Sequence, residues 1–146
     1  MRSKLIHEAH GQRTYVVVLD EGDEIQACLG RFAAAEALSA AQVTAIGAFA
    51  RATLLFYVWD TKDYERIEVN EQVEVVSLNG DIVLDQDGKP KLHLHAMLGR
   101  RDGSARGGHL DQAVVRPTLE VIVTESPAHL RRSEDARSGL ALIRLE

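Results

Sequence analysis

Only one cysteine, Cys28, stands in the 146 residues of this chain. No disulfide can therefore close within it, and no cluster of thiolates can hold a metal. A reducing compartment is the simplest expectation. No apolar run reaches the roughly 18 residues that span a bilayer as a helix. The segment up to Glu8 also lacks the apolar core of a signal peptide, so a cytoplasmic protein with no membrane contact is expected. Positive charge is short as well: 17 Lys and Arg stand against 22 Asp and Glu, for a net charge of -5. The basic residues are spread out, densest at Arg100, Arg101 and Arg106 and again at Arg131 and Arg132, which offers nucleic acid no broad basic field. There is no internal repeat, no linker long enough to divide domains, no glycine-rich phosphate loop and no Ser-His-Asp order.

What is present has the balance of one globular domain over residues 1–146: 45% hydrophobic and 27% charged residues. At that length roughly two thirds of the unfolded surface can be buried without a disulfide or a structural metal, so a metal would be functional before it is structural. Residues 13–20 are rich in β-branched side chains and read as a buried strand. Ile25, Cys28, Leu29, Phe32 and Ala35 then recur at helical spacing, with Asp23 and Glu24 at the positive N-terminal end. From Val43 the composition turns to β, with strands expected at 43–46, 52–59, 65–69 and 73–84. A tight turn follows at 85–90, then a strand at 91–98. A glycine-rich turn is expected over 99–108, a strand at 119–124, a polar segment at 125–138 and a last strand at 140–145. The pattern is an antiparallel sheet with one main helix laid on it.

Within 91–98, Leu92, Leu94, Ala96 and Leu98 alternate with His93, His95 and Met97. Two histidines two apart on a strand project from the same face with Cβ atoms about 7 Å apart, close enough for both imidazoles to reach one ion. Gly107 and Gly108 strip side chains from the backbone before His109, letting it approach a neighbouring strand and deliver a third imidazole. Three nitrogens leave one coordination position open for water or a substrate oxygen. The competing reading makes His93 and His95 polar residues on a solvated edge strand and Gly-Gly-His a hairpin exit. His7, His10 and His129 lie in polar or terminal segments and are assigned to solvent.

Several segments together resemble the plants-and-prokaryotes conserved domain, known as the PPC domain. They are GAFARATL at 47–54, EVVSLNG at 74–80, HLHAMLG at 93–99 with GGHL at 107–110, and TLEVIVTE at 118–125. The likeness runs from about Tyr15 to Leu145. It implies an α+β subunit with an antiparallel sheet, assembly as a homotrimer, and a divalent transition metal, zinc by ligand number, on His93, His95 and His109. In plants the same domain is joined to an AT-hook, a short basic segment built on Arg-Gly-Arg-Pro, and prokaryotic members carry a provisional DNA-binding label from that association. This chain contains no Arg-Gly-Arg-Pro core, so sequence-specific DNA binding is not carried over. A more distant similarity, through the three histidines alone, is to acetolactate decarboxylase. It opens the alternative of a metal-dependent lyase acting on a small keto or hydroxy acid, or of a site for a small-molecule ligand.

A lyase also needs a placed acid or base. The sequence nominates only Glu74 and Glu120, each of which is equally an outward residue of an alternating strand, and no catalytic residue is assigned. Cys28 reads as core. Phe56, Tyr57 and Trp59 read as core packing or a subunit interface.

Overall fold

The computed structural model describes residues 1–145. Strands β1 (Arg2–Ala9) and β2 (Gln12–Asp20) form an antiparallel hairpin, the first of them unmarked by any sequence signal. The helix α1 (Ile25–Ala35) starts where expected: the Glu24 carboxylate caps it, accepting from the N–H groups of Gln26 at 3.2 Å and Ala27 at 2.7 Å. Those are two of the donors that the first turn leaves without helical partners. Its stripe of Ile25, Cys28, Leu29 and Phe32 is buried against β6 (Pro90–Gly99) and β7 (Ala105–Glu125). Ala35 is exposed, and Ala33 takes the buried place instead.

The expected strands at 43–46 and 52–59 are one element, β3 (Ala40–Val58), bent by register shifts beginning at Gly47. β4 (Asp63–Val69) and β5 (Val73–Leu84) lie where the composition placed them. The glycine-rich turn is shorter than expected, because β7 begins at Ala105 and runs unbroken through 119–124. The polar segment at 125–138 contains a strand, β8 (Arg131–Asp135), which pairs with β9 (Leu140–Arg144) as a C-terminal hairpin. A polar strand that buries one residue, Arg132, carries too little apolar alternation to announce itself.

β3 pairs with β5, β5 with β6, β6 with β7 and β7 again with β3, all antiparallel, so the four ladders close a circuit. β1 and β2 extend it beside β7, and β8 joins through a single parallel pair, Leu84 with Arg131. Inside the circuit and under the helix lies one core that includes Leu19, Leu29, Phe49, Leu94, Leu98 and Leu119. Buried Glu125 fastens the far end of β7 to the start of β3, accepting from the N–H and hydroxyl of Ser39 at 2.9 and 3.2 Å. The Ser39 hydroxyl also meets His129 Nδ1 at 2.7 Å, so that histidine is tied to the fold and not simply solvated. Phe56 and Trp59 are 61% and 52% exposed, which removes them from the core, while Tyr57 packs edge-on against Tyr64. No helix among the described residues is long and apolar enough to cross a membrane.

One irregularity positions the third histidine. Ala113 and Val115 point into the core, and strict alternation would carry Asp111 and His109 inward with them. The register between β3 and β7 shifts between Thr53 and Leu54, leaving Asp111 as a bulged residue, so Leu110 turns into the core and His109 to the opposite face. Just before it, a Cβ on Gly108 would sit 2.9 Å from the Leu55 carbonyl oxygen, whereas one on Gly107 would meet the flexible Met97 side chain at 3.2 Å. Gly108→Ala is therefore expected to cost about 1–3 kcal/mol of stability, and Gly107→Ala less than about 1 kcal/mol. Denaturant-unfolding midpoints of the two variants check this contrast.

Candidate metal centre

β6 and β7 set His95 directly opposite His109, with His93 two residues away on the same face. Each of the three imidazoles offers one nitrogen, and the three lie within 4.8 Å of one another. The His93 and His95 Nε2 atoms are 3.2 Å apart, and the ring centroids are separated by 5.1 to 5.3 Å. The structure therefore brings together the three histidines that the sequence nominated as candidate ligands. Glu74 and Glu120 are exposed on other parts of the sheet and do not reach it.

The donor set fits a transition-metal ion. Tetrahedral nitrogen ligands at bond lengths of about 2.0–2.1 Å stand about 3.3 Å apart, close to the spacing of the two Nε2 atoms. The Nδ1 atom of His109 is buried without a hydrogen-bond partner, a polar orphan of the kind that ligation relieves. Burial, then the charges of His93 and His95, push the His109 imidazole down to about 4. Burial, followed by the Arg132 guanidinium, lowers His93. Both rings are accordingly neutral at pH 7, the form that ligates metal.

Two residues that sequence reading missed stand behind His93. Arg132, 8% exposed, donates from Nη2 to Asp81 Oδ1 at 2.6 Å and lies 3.2 Å from His93 Nδ1. A guanidinium has no acceptor, so His93 Nδ1 accepts and its Nε2 carries the proton, which points to His95 Nε2. Asp81 Oδ2 stands 4.0 Å from the same Nδ1. Asp81 sits on β5 and Arg132 in a polar segment, and nothing in the chain order joins them.

An open cleft of about 260 Å³ lies beside His93 and His109, walled by Tyr64 of β4 and by the β8–β9 hairpin. Tyr64 stacks 5.6 Å from the His109 ring. The hairpin is anchored by the Arg132–Asp81 pair, by the Tyr57 hydroxyl donating to the Ser138 carbonyl, and by Arg137 lying 5.5 Å over Trp59.

A closed antiparallel circuit capped by one helix, with three imidazoles gathered on its outer face, defines a small β-sheet protein with a candidate metal centre. The chain belongs to the Plants and Prokaryotes Conserved (PCC) domain family, the PPC domain, which it matches over residues 6–127. It is similar to a metal-containing protein of Archaeoglobus fulgidus, with 34% identity and a TM-score of 0.82 over 88% of this chain and 91% of that one. It is similar also to a plant- and prokaryote-conserved protein of Pyrococcus horikoshii, with 27% identity and a TM-score of 0.84 over 92% and 93%. A Bacteroides thetaiotaomicron protein, named provisionally as DNA binding, aligns with 28% identity and a TM-score of 0.86 over 94% of each chain. No functionally curated protein matches the chain.

The depressed imidazoles make stability depend on pH. Between about 6.5 and about 4 the unfolded chain takes up a proton at His109 that the folded chain refuses, so stability rises with pH across that window and is lost on acidification. Urea midpoints of the metal-free protein are expected to fall from pH 7 to pH 4, and His109→Gln to flatten that limb.

Proposed function

We propose that this chain is a stand-alone, cytoplasmic PPC-domain protein that binds one divalent transition metal, zinc, through His93, His95 and His109, and assembles as a homotrimer. The observation that carries the metal reading is the meeting of three imidazole nitrogens within 4.8 Å on strands that keep their own hydrogen bonds. The name of the Archaeoglobus relative lends it support. Three protein nitrogens leave a coordination position free, which suits ligand binding better than a purely structural role. With an ion on Nε2 the ring proton of His93 would sit on Nδ1, which now faces Arg132 Nη2 at 3.2 Å with Asp81 Oδ2 at 4.0 Å, so Nδ1 would have to exchange the guanidinium for the carboxylate.

Elemental analysis of untagged protein after zinc reconstitution is expected to give one metal per chain, and none once His93 and His95 are both changed to Ala. Asp81→Asn is expected to weaken zinc about 10- to 100-fold while leaving the stoichiometry at one. Metal retained by the double alanine variant removes the site.

The trimer is supported by an uncovered apolar strip on the outer face of the central strands, where Ile46 and Val76 are 62% and 61% exposed and Ile122 adjoins them. Light scattering is expected to give three times the 16.1 kDa chain mass, and Ile46→Glu to shift it toward the monomer. A wild-type chain that stays monomeric at micromolar concentration overturns the assembly.

DNA binding, suggested by the name of the Bacteroides relative, has less behind it. The net charge is -5, and Arg66, Arg100, Arg116 and Arg132 are each paired with an acid of the same chain. Duplex affinity without sequence preference is what such a surface supports. The lyase reading lacks its acid and base, since neither Glu74 nor Glu120 lines the cleft beside the histidines.

A further inference from the structure

The cleft beside the three histidines has a lining of one sign. Lys91 and Arg132 are its cations, and no Asp or Glu lines it. Arg132 is a fixed charge, its two terminal nitrogens held by Asp81 and by the Ala141 carbonyl. Lys91 is free: it projects from the same face of β6 as His93 and His95, and no carboxylate among the described residues pairs with it. The Tyr64 hydroxyl likewise has no hydrogen-bond partner among the described residues. Opposite these groups the wall is apolar, built from Leu140 and Leu142 of β9, while the Leu92 side chain turns to the other face of β6 and packs toward the core.

We propose that this cleft takes a small monocarboxylate with a short apolar tail, its carboxylate between Lys91 and the imidazole cluster and its tail against Leu140 and Leu142. The inference rests on the metal-binding reading above and adds the ligand to it. A cation with no partner, beside a metal site with a free position, favours an anionic oxygen ligand. Aliphatic side chains on the far wall reward a hydrocarbon tail. At about 260 Å³ the space falls below that of drug-sized sites, about 300–1,000 Å³, which limits the ligand to a few carbons. The tail-binding wall comes from β9, beyond residue 127 where the match to the family model ends.

The test is calorimetric titration of the zinc-loaded full chain with isovalerate and with isovaleramide, which has the same shape without the charge. One isovalerate per chain is expected, with the amide at least about tenfold weaker. Lys91→Gln is expected to weaken isovalerate by at least about tenfold, and Leu142→Asn to weaken isovalerate while leaving acetate unchanged. Lys91 and Leu142 are both exposed, and zinc stoichiometry retained in each variant shows that the site still forms. Equal affinity for isovalerate and isovaleramide, or an unchanged affinity in Lys91→Gln, overturns this proposal and leaves the metal reading standing. A chain that takes up no zinc overturns the metal reading and this inference with it.

Discussion

The short ladder between β6 and β7, which pairs His95 with His109, is the constraint on which the site and the closure of the sheet both depend. It completes the circuit that β3, β5 and β7 begin, and it ends at the His95–His109 pair itself. It can bring His109 to the right face only because Asp111 is bulged out of register with β3. A one-residue slip in a strand exchanges its two faces, so the same sequence without the bulge would bury an imidazole in the core and expose Leu110. The bulge is fastened from outside, where Arg66 donates to Asp111 at 3.1 Å.

The electrostatics of the site follow from that placement. Burial lowers both His93 and His109, and the charges of the neighbouring imidazoles add to desolvation in holding these two rings neutral. Arg132 deepens the effect on His93 and is itself balanced by Asp81 at 2.6 Å. A nearly buried guanidinium whose neighbours are a carboxylate and an imidazole is stable only while that carboxylate stays ionised. The hairpin that carries Arg132 is therefore coupled to the site through charge as well as through packing.

The remaining surface divides cleanly. Acid–base pairs of modest individual worth occupy much of the exposed sheet, which quiets the arginines that a polyanion would need. The strip of Ile46, Val76 and Ile122 has no such partners.

Local pattern was enough for much of this protein. The alternation of 91–98 fixed which side of β6 the histidines share, the spacing from Ile25 to Phe32 fixed the buried face of the helix, and Asp-Gly with Pro90 fixed the turn between β5 and β6. These are properties of neighbours in the chain, whose periods of two and 3.6 residues follow from backbone geometry alone. The single cysteine likewise excluded, without any fold, a cluster of thiolates within the chain as metal ligands. The tertiary structure decided what depends on residues distant in sequence: the continuity of β3 and β7, the polar strand β8, the exposure of Phe56 and Trp59, and the meeting of Asp81, Lys91 and Arg132 around His93. It also decided the face of His109, because a bulge is a mismatch between two strands and leaves no mark in the period of either one.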